Sequence, residues 1–252
     1  MKKNQSETNT KSSFELWLKA RIKDEIRGID LKKVSYDGDK TAITKILLLF
    51  NVLTLNELTD IPQNRFSFNR YKNMKGGSSI EHIHAQNSEN IKDIKQIKIW
   101  LDKTKDVLSN IRSVEKTSDM EKTEISIKEY LEKIDDLLRS ISNNEDNNEI
   151  VTDFNVLNQR LSEVFDSRSV HDLSNLALIG NNDNSKLNNF IFPVKRNIII
   201  DLEKKGHFVP LCTKMVFLKG YSNTDYQPFY WSEIDKNAYF SEIERIIKTI
   251  KT

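Results

Sequence analysis

Ser79-Ile80-Glu81-His82-Ile83 and Asn175-Leu176-Ala177-Leu178-Ile179-Gly180-Asn181-Asn182-Asp183-Asn184 are the two stretches on which the fold turns. The first reads as a strand bearing a Glu-His pair, introduced by the chain-breaking Gly76-Gly77. The second reads as a strand carrying Asn175, with Asn184 nine residues further on opening a helix. Paired antiparallel, they would make a hairpin followed by a helix, closed across a very long loop.

That loop, residues 88–170, has helical character. Ile91, Ile94, Ile97, Ile99, Trp100 and Leu101 begin one helix, and Ile125 to Ile141 repeat at the 3.6-residue period of a second. Residues 143–148, rich in Asn, form a loop, and Phe154, Val156, Leu157, Leu161, Val164 and Phe165 mark a third helix. No heptad persists over three or four repeats, so the stretch is expected to pack on itself as an insertion and not as a coiled coil.

Outside the pair, Phe14, Leu16, Trp17, Leu18, Ile22 and Ile26 predict an amphipathic helix ended by Gly28, after a short disordered lead over residues 1–12. Asp37-Gly38-Asp39 is a turn, and a buried helix runs from about Thr41 to Leu55, apolar nearly all round. Arg65 to Phe68 alternates like a short strand. A helix follows Phe192-Pro193 and closes at Lys204-Lys205-Gly206; Met215 to Leu218 reads as a strand; Trp231-Ser232-Glu233 caps a last helix.

Bulk composition excludes some classes. Charged residues make up 30% of the 252 and hydrophobic ones 37%, with 7 Gly and 4 Pro, which suits a helix-rich protein with solvated faces. No apolar run approaches the roughly 18 residues of a membrane span, and the N-terminus lacks the apolar stretch of a signal peptide. A single cysteine, Cys212, forbids an internal disulfide and fits a reducing cytoplasm. The net charge of +2 is unevenly spread. Residues 1–87 carry 15 basic and 10 acidic side chains, residues 88–170 carry 13 and 18, and residues 171–252 carry 11 and 9. The motif-bearing ends are therefore positive and the insertion negative, as a polyanion-binding protein would have it.

The residue types at the hairpin suit phosphodiester hydrolysis. That reaction needs a deprotonated water in line with the leaving group, a cation for the developing charge, and fixed geometry. A neutral histidine can take the proton near pH 7, which assigns His82 as general base. Carboxylate and carboxamide oxygens are hard donors suited to Mg²⁺ or Mn²⁺, which assigns Glu81 and Asn184 as metal ligands. Asn175 would bond backbone across the hairpin loop and hold His82 in place. Lys186, Lys195 and Arg196 are the phosphate-contact candidates. His84 is read as packing beside the strand, His171 as structural ahead of the second strand, and His207 as a loop histidine. An isolated Glu-His pair is usually a surface accident and an Asn-rich stretch usually a loop, so the local pieces alone decide little.

Longer flanks carry a family resemblance. Leu47-Leu48-Leu49-Phe50-Asn51-Val52, Arg65-Phe66 with Phe68, and Ser79 to Asn87 resemble the C-terminal HNH domain of GmrSD-type modification-dependent restriction endonucleases. So do Leu173-Ser174-Asn175-Leu176-Ala177-Leu178, Asn184-Ser185-Lys186-Leu187-Asn188-Asn189 with Phe192 and Lys195-Arg196, and Gly206 to Leu218 followed by Trp231, Asp235 and Tyr239. The likeness spans about residues 14 to 247. Ser174 stands where many relatives carry Gly, and no P-loop pattern represents the nucleotide-hydrolysing domain that such proteins carry.

The resemblance implies a mainly α (α+β) fold: a helical protein built around a ββα-metal hairpin with a long helical insertion. The expected parts are a lead (1–12), an N-terminal helical part (13–77), a nuclease core (78–87 with 171–206), the insertion (88–170) and a C-terminal helical part (207–252). The expected function is a Mg²⁺- or Mn²⁺-dependent HNH DNA endonuclease of a cytoplasmic anti-phage restriction system. Its partners would be foreign or phage DNA and a nucleotide-hydrolysing subunit, or an N-terminal domain missing from this chain, with no membrane. The alternative is a catalytically silent module of the same system that binds nucleic acid or a partner.

Overall fold

A computed structural model describes residues 10–58, 65–84, 91–111, 120–165, 171–222 and 229–251. It is mainly helical, with one two-stranded sheet. Strand β1 (Ser78–His82) pairs antiparallel with β2 (Leu176–Gly180), so that Ser78 faces Gly180, Glu81 faces Ala177 and His82 faces Leu176. Both halves of the split motif thus meet side by side. The Asn181 N–H donates to the Gly77 carbonyl at one end, and the Ile83 N–H to the Asn175 carbonyl at the other.

Every residue of β2 is buried, because helices enclose the hairpin. Helix α2 (Lys40–Glu57) starts where Asp39 accepts from the Thr41 and Ala42 N–H groups, the turn expected at residues 37–39. It buries Ile43, Ile46, Leu47 and Phe50 against the sheet. Helix α7 (Asn181–Leu187) follows β2 without a loop, and α8 (Phe192–Lys204) takes Pro193 in its first turn and ends before Gly206, at φ +77°. Helices α9 (Leu211–Phe217) and α10 (Glu233–Lys251) complete this core with Val216, Phe217, Tyr239, Ile243 and Ile246. Ser232 caps α10 reciprocally with Asp235: Ser232 Oγ accepts the Asp235 N–H and Asp235 Oδ2 accepts the Ser232 N–H.

A second core belongs to α4 (Ile94–Ile111), α5 (Met120–Ser142) and α6 (Asn147–Phe165), the three helices that the periodicity of residues 88–170 predicts. Trp100, fully buried, meets Phe154 edge-on at 5.2 Å and donates its indole N–H to the Asn189 carbonyl. Phe190, Ile191 and Val194 complete that core, and Ile198 on α8 touches both cores. Helix α8 is therefore the spine joining the insertion to the hairpin.

Several local expectations change. Residues 215–217 lie in helix α9, not a strand, since Pro210 supplies the N-cap and its carbonyl accepts the Lys214 N–H. Arg65 to Phe68 forms no strand and pairs with none among the described residues. Phe66 is instead buried and Phe68 opens the short helix α3 (Phe68–Lys72), exposed, with the two rings edge to face at 4.9 Å. Helix α1 (Lys11–Ile26) begins inside the stretch expected as a disordered lead; residues 1–9 lie outside the described ones. Nor does α1 bury an apolar face: Phe14, Leu16, Trp17 and Leu18 are exposed and only Ile26 is buried. Only its last turns reach the core.

Candidate active site

Successive side chains of a strand point to opposite faces, so the consecutive Glu81 and His82 on β1 look in different directions. Glu81 shares its face with Ser79, and on that face Asn184 of α7 donates from Nδ2 to Ser79 Oγ at 2.9 Å. Asn184 Oδ1 is buried and has no hydrogen-bond partner among the described residues. Asn184 is the fourth residue of the seven-residue α7 and does not open it, contrary to the sequence expectation.

Lys195 closes the same face from α8. Its Nζ lies 2.6 Å from Glu81 Oε1 and donates to the His82 carbonyl at 2.6 Å. Both side chains are enclosed, at 2% and 7% exposure, so this pair is not a solvent-screened one. Burial pushes the Glu81 pKa up, and the Lys195 ammonium works against that rise. Lys195, expected as a phosphate contact, is enclosed here against Glu81 and the His82 carbonyl. A signal was present: Lys195 falls on the stripe of α8 that buries Phe192, Ile199 and Leu202.

His82 faces a strut made by residues 35–40. An isolated bridge pairs Ser35 with Asp172, and the Tyr36 N–H donates to the His171 carbonyl at 2.9 Å. This anchors the Tyr36 ring edge-on to the His82 ring at 4.3 Å, with the His171 ring at 5.9 Å. Lys40 places its ammonium 4.0 Å above the Tyr36 ring. His82 Nε2 is buried and has no hydrogen-bond partner among the described residues. Burial first, then the charges of Lys195, His171 and Lys40, lower the His82 pKa from 6.5 to about 4. The imidazole is thus neutral near pH 7. Tyr36 and Lys40, more than forty residues upstream, had no motif to announce them.

Asn175 lies in a 3-10 turn (Leu173–Asn175) just before β2 instead of on the strand. Fully buried, it accepts the His84 N–H at 2.9 Å through Oδ1 while its carbonyl accepts the Ile83 N–H at 2.8 Å. It therefore pins the two residues that follow His82. His84 is buried with Nε2 2.5 Å from the Trp231 carbonyl, which can only accept, so that nitrogen carries the proton. Lys186 and Arg196 stand apart from the Glu81 network. Lys186 pairs with Asp183 at 2.7 Å, and Asp183 also holds His207 Nδ1 at 3.0 Å. Arg196 is half-buried, its Nε enclosed without a partner, and burial lowers its pKa.

Among the described residues, His, Cys, Asp and Glu side chains nowhere gather in a group of three fit to hold a metal ion. A cation here would depend on Glu81 with amide and hydroxyl oxygens, which suits a hard ion that keeps most of its waters. The enclosed Asn184 Oδ1 is an oxygen of that kind, on a residue that bonds Ser79 on the Glu81 face. No described helix is long and apolar enough to cross a membrane. Compared with protein-family models, curated proteins and solved structures, the chain matches none.

Proposed function

We propose that this chain is a metal-dependent endonuclease that hydrolyses phosphodiester bonds in DNA, with His82 as general base. The observation that carries the reading is the neutral, enclosed His82 Nε2 at the end of β1, without a partner among the described residues. A buried imidazole nitrogen without a hydrogen bond costs stability, and such costs gather at functional sites. In the reaction His82 Nε2 takes the proton of a water as its oxygen attacks phosphorus. The P–O bond to the leaving alcohol then breaks, and that oxygen is protonated from solvent. Asn175 fixes the backbone after His82, and Tyr36 fixes the ring.

Glu81 and Asn184 would hold Mg²⁺ or Mn²⁺, which supplies charge stabilisation to the phosphate and the leaving oxygen. Lys195 would then share Glu81 with the ion. The HNH assignment and the setting rest on the sequence resemblance: a cytoplasmic anti-phage restriction system with a nucleotide-hydrolysing partner and foreign DNA as target.

A catalytically silent module is favoured by one observation. The Lys195 ammonium already compensates Glu81, and a histidine with a pKa of about 4 is a weak base. Supercoiled plasmid incubated with Mg²⁺ or with chelator, alongside Mn²⁺ calorimetry, separates the two readings. Relaxed circles only with metal, and heat abolished by Asn184→Ala, support the nuclease. DNA binding without metal heat or nicking supports the silent module.

A further inference from the structure

We propose that the basic cleft between α7, residues 70–75 and the turn after α8 seats the phosphate backbone of DNA. The cleft has a volume of about 740 Å³, far larger than one phosphate requires. Arg70 and Lys75 line one wall, Lys186 projects from α7, and Lys205 and His207 come from the turn. Four permanent cations face a single carboxylate, Asp183, and that carboxylate is already engaged by Lys186 at 2.7 Å and His207 at 3.0 Å. Lys75 and Lys205 are exposed and form no ion pair among the described residues.

Part of the site is preorganised. Arg70 Nη2 donates to the Gly206 carbonyl at 2.8 Å and its guanidinium lies 5.2 Å from the Phe208 ring centroid, so the side chain is held at the cleft before any ligand arrives. Asp183 likewise orients His207 through Nδ1 and leaves its other ring nitrogen available. A side chain fixed in place loses less entropy on binding. An excess of fixed and free cations recognises a polyanion by charge, not by base.

The position is informative as well. Asp183, Ser185 and Lys186 line the cleft, whereas Asn184 between them turns its carboxamide to Ser79 on β1. The cleft and the candidate active site thus lie on two sides of one short helix. The choice of DNA as the polyanion rests on the nuclease reading, but the contact itself needs neither metal nor His82.

Binding of a labelled DNA duplex, read by fluorescence anisotropy in chelator, tests the cleft independently of cleavage. Lys75→Ala/Lys205→Ala is compared with wild type and with Lys128→Ala/Lys133→Ala, a charge-matched pair of exposed lysines on α5. The cleft variant should bind at least about 10-fold more weakly, and its slope of log affinity against log salt should be shallower by roughly 2. The α5 variant should stay within about twofold of wild type. Equal losses in both variants, or no loss and an unchanged slope in the cleft variant, would overturn the proposal even if wild type nicks DNA. Loss confined to the cleft variant, with no nicking by any protein, would uphold the cleft and remove the catalytic reading.

Discussion

With its ammonium 2.6 Å from Glu81 and only 2% of its side chain exposed, Lys195 opposes the desolvation that raises the Glu81 pKa. Removing one partner of a buried pair leaves the other charge uncompensated, which costs more than the pair contributed. Lys195→Met should therefore lower the unfolding free energy by about 3 kcal/mol in urea titrations. Glu81→Gln added to it should recover part of that loss; no recovery would remove the ion pair as the cause. His82 gives a pH signature with a definite sign. Its pKa is about 6.5 when unfolded and about 4 when folded, so between those values the unfolded chain binds more protons. The histidine's contribution is complete above pH 6.5 and is lost as pH falls towards 4. Burial of Glu81 acts in the opposite direction, so the difference between wild type and His82→Gln isolates the histidine. That difference should grow more favourable to His82→Gln as pH falls through the window, and a flat difference would contradict the placement. Asn175→Ala leaves the buried His84 N–H without its acceptor and should cost about 1–3 kcal/mol.

At the scale of elements, the insertion carries its own core around Trp100 and Phe154, which among the described residues packs on α8 and the residues before it. Trp100→Ala should cost about 3–5 kcal/mol and raise amide hydrogen exchange first in α4, α5 and α6. Uniform acceleration across β1, β2 and α10 would show one cooperative unit instead. Elements with sustained periodicity were legible in the sequence. The 3.6-residue repeat of Ile125 to Ile141 and the apolar surround of Ile43 to Leu53 each match a helix. Short apolar runs were not, because four residues such as Met215 to Leu218 fit strand and helix alike, and Pro210 decided between them. Helix α1 shows the converse: apolar residues in helical order leave Phe14 and Trp17 exposed, since periodicity does not say whether a surface exists to receive them.

Across the whole molecule, antiparallel pairing of β1 with β2 sets Glu81 opposite Ala177 and His82 opposite Leu176, while Asn175 bonds the His84 N–H and Asn184 bonds Ser79 across 91 and 105 positions of chain. What the motif could not reveal was the remainder of the site. Lys195 reaches Glu81 from α8, and Tyr36 reaches His82 from ahead of α2; contacts between distant elements leave no local spacing to read. The motif also hid that His82, the assigned base, and Glu81, the assigned metal ligand, look to opposite faces, and that Lys195 meets the Glu81 carboxylate and the His82 carbonyl alike. The most direct measurement is the rate at which wild type and His82→Ala convert supercoiled plasmid to relaxed circles in Mg²⁺ near neutral pH, with both proteins shown folded by circular dichroism. The nuclease account predicts metal-dependent nicking that falls by at least about 100-fold in His82→Ala; equal rates in the two proteins, or no nicking by wild type, would contradict it.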